Sequence, residues 1–149
     1  MAMYASVDDL VEELTEERAL ELCDDENSGS LAAAPVQARL SDSLVDASAL
    51  VDSYAGGRYT VPLVPVPAIV SRYTTTIATY YCHLRRPNVP DSVQLAYDNA
   101  IAWLKDVAKG TVSLGETEEE PEVLPDAALE VRAVVTGPQV FTRESLANY

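Results

Sequence analysis

Leu50-Val51-Asp52-Ser53-Tyr54-Ala55-Gly56-Gly57-Arg58-Tyr59-Thr60-Val61-Pro62-Leu63 is the stretch that divides this chain into its parts. It ends an amphipathic pattern, and the glycine pair is the predicted stop, because glycine reaches the left-handed conformation that closes a helix without steric cost. Beyond it Pro62, Pro65 and Pro67 fix their own backbone angles and push the residues before them out of the helical region. Residues 59–66 are therefore read as a stiff extended strap joining two helices. No catalytic chemistry is expected there.

Working outward, the 149 residues suit a single domain, long enough to bury roughly two thirds of its unfolded surface. A hydrophobic share of 48% with 23% charged residues is ordinary globular usage. No apolar run approaches the ~18 residues of a membrane span. Met1-Ala2-Met3-Tyr4 carries neither a basic start nor an apolar export segment, so a soluble protein made in the cytoplasm is expected. Cys23 and Cys82 lack CxxC spacing and are read as buried free thiols rather than a bridge or metal site.

The formal charge of −14 is uneven. Residues 1–30 hold ten acids and one base, a net −9; residues 31–110 hold six acids and seven bases, a net +1; residues 111–149 hold eight acids and two bases, a net −6. Such a surface does not grip phosphate backbones, which needs clustered Lys and Arg. It can stand beside DNA and repel it.

Ser6 is a candidate cap for a helix over residues 7–14, with Asp8 and Asp9 near its positive end. Thr15 is a candidate cap for a second segment reaching Cys23, with Ala19, Leu20 and Cys23 inward, so the start reads as two short helices or one bent one. Asp24-Asp25-Glu26-Asn27-Ser28-Gly29-Ser30 resembles the opening of a calcium loop, but Pro35 stands where the twelfth position needs a bidentate Glu. The alternative is a solvated acidic loop.

The clearest helix follows Pro35, with Val36, Leu40, Leu44, Ala47, Val51 and Tyr54 inward and Gln37, Arg39, Asp42, Asp46 and Asp52 outward. Tyr54, Arg58, Tyr59, Pro62 and Leu63 are candidate interface residues, since Tyr and Arg favour protein contacts. The alternative is that the tyrosines pack on the core and Arg58 caps a helix end or pairs with an acid. A third main helix is predicted over residues 67–84, with Ile69, Val70, Tyr73, Ile77, Tyr80, Tyr81 and Leu84 at helical intervals and a threonine run that only packing can keep helical. His83 adjoins Cys82, but lacks the partners of a zinc site or a base and is read as structural. Arg85 and Arg86 suit that helix's C-terminal dipole. A fourth helix runs over residues 91–109 and closes at Gly110, with Val93, Ala96, Tyr97, Ala100, Ile101, Leu104 and Val107 inside and Trp103 as an anchor needing a partner for its indole nitrogen.

After Gly110 the character changes. Residues 111–114 are read as a short strand, residues 116–122 as an acidic linker around Pro121, and residues 128–135 as a strand by their alternation. That strand has no sheet of its own to join, which suggests strand addition to another chain. Leu129, Val131, Val134, Phe141, Arg143, Leu146 and Tyr149 are its candidate contact residues, with folding back onto the helices as the alternative. The fold class read from these patterns is mainly α. It comprises a small bundle of about four main helices over residues 1–110 and an extended C-terminal arm over residues 111–149, able to add a β-strand to a partner.

Several segments together resemble the Mu-like phage head-tail adaptor family, also described as head completion or connector proteins. They are Tyr4-Ala-Ser-Val-Asp-Asp-Leu, Val51-Asp-Ser-Tyr, Gly57-Arg-Tyr-Thr-Val-Pro-Leu, Ile77-Ala-Thr-Tyr-Tyr, residues 100–104 with Lys109-Gly110, and Phe141-Thr-Arg-Glu-Ser-Leu. Gly-Arg-Tyr-x-x-Pro-Leu is the most specific. The resemblance implies a virion protein of the neck, made in the host cytoplasm and assembled as a homo-oligomeric ring, twelve-fold to match the portal protein above it. It further implies a tail-side neck partner, a stopper or tail terminator, and double-stranded DNA passing through the lumen without sequence recognition. Asp8, Asp9, Glu12, Glu13, Asp24, Asp25 and Glu26 are candidates for repelling that DNA if they face the channel.

A second reading is an acidic regulatory module that binds a basic protein by mimicking nucleic-acid charge. An enzyme is the remotest reading, because nucleophile elbow, phosphate loop and paired-histidine motif are all missing. No cofactor, metal or membrane partner is expected.

Overall fold

A computed structural model describes residues 3–114, which lie within a unit spanning Met1–Glu119. The order is α1 (Val7–Leu14), α2 (Glu16–Cys23), α3 (Ala34–Ala55), α4 (Ala68–His83) and α5 (Asp91–Lys109). The described residues are mainly helical, with no strand among them.

Ser6 caps α1 as its sequence suggests. Its hydroxyl accepts from Asp9 N at 3.1 Å, and Asp9 Oδ2 accepts from Ser6 N at 2.8 Å, closing a capping box. The bond from the Ser6 backbone, reinforced by its hydroxyl, holds the Asp9 carboxyl below the usual carboxylate range. The acidic start resolves into two helices. Thr15 sits between them at φ 72 and ψ 150, and its side chain makes no cap, contrary to expectation, because that backbone geometry turns it away from the next turn. Leu22 rather than Leu20 shares the buried face with Ala19 and Cys23.

Helices α3, α4 and α5 run antiparallel in succession. Cys82 meets Ser43 across α3 and α4, while Tyr73 stacks on Trp103 at 4.5 Å and Tyr80 on Tyr97 at 4.0 Å across α4 and α5. Leu40, Leu44 and Val51 from α3, Val70 and Ile77 from α4, and Leu104 and Val107 from α5 form the core, completed by Leu10 and Leu22. Each such aliphatic side chain contributes about 1.5–3 kcal/mol on burial. Helix α4 packs against all four others, so its threonine run is held by contact rather than propensity. Thr75 and Thr76 return their hydroxyls to Ser71 O and Arg72 O, both at 3.1 Å, whereas the Thr74 hydroxyl is buried with no partner among the described residues.

Four expectations fail in detail. Gly56 has φ −62 and Gly57 is not left-handed either: α3 ends by a tightening turn in which Arg58 N and Tyr59 N both donate to Ala55 O. The left-handed stop is Gly110, at φ 78. Ile69 and Leu84, assigned inward, are 40% and 54% exposed, because the stripe of α4 follows Thr74, Ile77 and Ala78. Residues 111–114 form no strand. Thr111 N and Val112 N instead fold back onto Asp106 O, satisfying the end of α5.

Candidate interaction surfaces

The strap is fastened from below by a residue to which the sequence gave no role beyond opening a family-like segment. Tyr4 is buried, its backbone N donates to Ser48 Oγ at 3.2 Å, and its hydroxyl accepts from Leu63 N at 2.9 Å while donating to the Asp52 carboxylate. One phenol thus ties the N-terminus to α3 and to the strap. Burial, then the bond to Asp52, pushes it up to about 12. Asp52, assigned to the solvent face, is thereby drawn to half-burial.

Tyr59 and Leu63 also turn inward, which corrects their assignment to an interface: a strap that crosses the body must be anchored, and these are its anchors. Pro62 faces out, and Tyr54 is half-buried against the core. The Val61–Pro62 and Val64–Pro65 bonds are cis. Around these anchors the strap exposes Val61, Val64 and Val66, and Val64 is 79% accessible. Proline density and a lack of charge were the sequence signals for this surface.

Arg58 is half-buried, with its guanidinium carbon 6.0 Å from the Tyr59 ring centre and its nitrogens against Gly110. Of the roles the sequence offered it, as an interface residue, a helix-end cap or a partner for an acid, the described geometry shows only that it lies against the end of α5. Tyr59 Oη accepts from Leu114 N at 2.9 Å, so the Gly57-Arg58-Tyr59 segment and the end of α5 form one structural unit.

The seven acids proposed to repel DNA divide into two groups. Asp8, Glu12 and Glu13 stand exposed on α1 with Asp9, which is spent on its cap. Asp24 folds its own loop, accepting from Ser28 N at 3.0 Å and Gly29 N at 2.8 Å, and those bonds, Gly29 first, lower its carboxyl from the usual range. Asp25 lies among three arginines, at 2.5 Å from Arg85, 3.0 Å from Arg86 and 3.4 Å from Arg39, and Glu26 reaches Arg39 at 3.9 Å. The same arginines take carbonyls at the end of α2: Arg39 that of Cys23 at 2.8 Å, Arg86 that of Glu21 at 3.1 Å and Arg85 that of Leu22 at 3.3 Å. They neutralise the dipole of α2, whereas the sequence reading gave Arg85 and Arg86 to their own helix and Arg39 to open solvent. Among the described residues, no group of three or more His, Cys, Asp or Glu converges as metal ligands.

Beneath that clamp Cys23 and Cys82 are both fully buried and free. Their thiols adjoin despite their separation in sequence, and the bond to Cys82, with burial behind it, keeps Cys23 protonated. His83 is buried, with Nδ1 2.9 Å from Thr79 O. A groove of about 360 Å³ between α1, α4 and α5 is lined by Glu13, Arg72, Thr76, Thr79, Ser92, Val93 and Ala96. Leu129, Val131, Val134, Phe141, Arg143, Leu146 and Tyr149, with the predicted linker and arm, lie outside the described residues.

The five helices and the strap pinned across them lie within a stretch shared with proteins of phage Mu type. Residues 4–133 match the family described as Bacteriophage Mu, Gp36, and the chain belongs to that family. The Mu-like prophage FluMu protein gp36 of Haemophilus influenzae is 38% identical over 87 residues, which are 58% of this chain and 60% of that protein. Gene product J of Escherichia phage Mu is 28% identical over 141 residues, 95% of each chain. Among the described residues no helix is long and apolar enough to cross a membrane.

Proposed function

We propose that the chain is a structural, non-enzymatic virion protein: a head-tail adaptor that forms a ring beneath the portal, twelve-fold to match it, and lines the DNA channel between capsid and tail. The observation that supports this reading is membership of the phage Mu family across residues 4–133. Its partners would be further copies of itself, the portal protein and a tail-side neck protein. In such a ring Asp8, Glu12 and Glu13 would serve as the DNA-repelling face if α1 borders the lumen, since they remain exposed. Asp25 and Glu26 would contribute little, because arginines already neutralise them.

Cryo-electron microscopy of purified particles carrying a tagged copy tests the reading. The expected result is a ring of this chain at the head-tail junction, and DNA-filled heads without tails when the gene is deleted. Complete particles that lack the protein would overturn it.

A further inference from the structure

The chain has two cysteines, and the fold brings both to one place. Cys23 ends α2 and Cys82 lies in the last turn of α4, and each is 0% exposed. Contacts on either side of the pair hold it together. Arg39 of α3 takes the Cys23 carbonyl at 2.8 Å, and one turn along the same helix face Ser43 Oγ lies 3.5 Å from Cys82 Sγ. Arg85, nearly one turn beyond Cys82, takes the Leu22 carbonyl at 3.3 Å.

The two sulfurs are chemically unequal. The bond from Cys23, then Ser43 and the Arg85 charge, hold the Cys82 thiol below its usual range against the effect of burial, while the same contact raises Cys23. One sulfur is thus placed to act as a nucleophile, and the other keeps a proton to give. Their cover is the Asp25 clamp, whose carboxylate is shared by the partly solvated Arg39, Arg85 and Arg86. Ion pairs this solvated open locally at small cost. A bulky thiol reagent stays excluded, but a molecule little larger than water can pass.

We propose that Cys82 and Cys23 are an oxidation site for hydrogen peroxide, admitted when the Asp25 clamp opens, and that the product is a disulfide joining α2 to α4. The Cys82 thiolate attacks one peroxide oxygen and the O–O bond breaks. The departing hydroxide takes up the proton that Cys82 released and leaves as water, with Cys82 now a sulfenic acid. Cys23 then attacks the Cys82 sulfur: the S–S bond forms as the S–O bond breaks, and the expelled hydroxide carries off the Cys23 proton as a second water. The two sulfurs together lose two electrons, and the peroxide gains them. The bond closes a loop of about sixty residues and pins the end of α2 to α4. On the reading of the chain as a virion protein, the pair stays reduced in the host cytoplasm and closes in released particles. That consequence rests on the proposed function; the bond itself does not.

The test treats the full folded chain, reduced beforehand, with hydrogen peroxide and maps its peptides without reduction. The expected result is a mass loss of about 2 Da and a peptide pair joined through positions 23 and 82. The oxidised chain should melt roughly 10 °C higher, and dithiothreitol should reverse the rise. Cys23→Ala should stop at a sulfenic acid on Cys82, which dimedone traps, and Cys82→Ala should leave Cys23 reduced over the same time. The opposite pattern would overturn the order of attack. Asp25→Ala should speed disulfide formation roughly threefold or more, and an unchanged rate would overturn entry beneath the clamp. Thiols that both stay reduced in the native wild type while the urea-unfolded chain oxidises, or that join only between copies, would overturn the proposal without any variant. The same maps on purified particles separate it from the proposed function. A chain present there with both thiols reduced would overturn the consequence for particles and leave the function standing, whereas a chain absent from particles would overturn the function and leave the bond standing.

Discussion

Arg58 lies over Gly110 so closely that a Cβ at that glycine would fall within its guanidinium group. Gly110 also holds φ 78, a conformation that opposes side chains on its own. Gly110 thus answers two independent demands, its own left-handed backbone and the approach of Arg58 from the segment that leads into the strap.

Gly110→Ala should cost about 1–2 kcal/mol from the backbone alone, and more because Arg58 must move. In the double variant with Arg58→Ala the steric part should vanish, leaving only the backbone part. Urea denaturation of the four chains of this cycle measures the difference.

Tyr4→Phe removes the acceptor for Leu63 N, which is buried, and the donor to Asp52. A loss of about 1–3 kcal/mol is expected. The raised phenol also sets a pH dependence. The folded chain keeps a proton up to about 12 that the unfolded chain releases near 10, so this stability is complete below pH ~10 and is lost as pH climbs towards 12. Tyr81, pushed up to about 12 by burial and then by Tyr97, adds a loss of the same sign. Urea midpoints between pH 8 and ~12 should therefore fall less steeply in Tyr4→Phe than in the wild type.

Asp25→Ala leaves Arg39, Arg85 and Arg86 facing one another without their shared acid. These side chains are partly solvated, so a loss of about 1 kcal/mol is expected at low salt, shrinking as salt rises. Melting curves at two ionic strengths would show it, and a salt-independent loss would point to packing instead.

Thr74→Val replaces a buried hydroxyl that has no partner among the described residues with a methyl of similar shape. Stability should rise by about 1 kcal/mol. Thr75→Val is the control: its hydroxyl is bonded to Ser71 O, so no such gain is expected there. Thermal melting of both variants decides it.

The stripes of Val36, Leu40, Leu44 and Val51 in α3 and of Ala100, Leu104 and Val107 in α5 could be read from spacing, because helix periodicity and burial are both local in sequence. So could the Ser6 cap, the stop at Gly110 and the strap, though not the box that Ser6 closes with Asp9. The stripe of α4 was misread at both ends, since Ile69 and Leu84 satisfy the interval but lie past the edges of what α4 packs against. Arg58 showed in sequence only as one of two alternatives. Tyr4 showed only as the start of a family-like segment, and its bonds gave no signal, because its three partners come from two distant elements.

Local pattern therefore determined which residues are helical, where the chain turns, and that its charge gathers towards its ends. Tertiary structure alone decided which charges survive as surface. Asp25 meets Arg85 and Arg86 some sixty positions away, and Asp52 meets Tyr4 across 48. An ion pair or hydrogen bond depends on separation in space, and a periodicity along the chain carries no information about that distance.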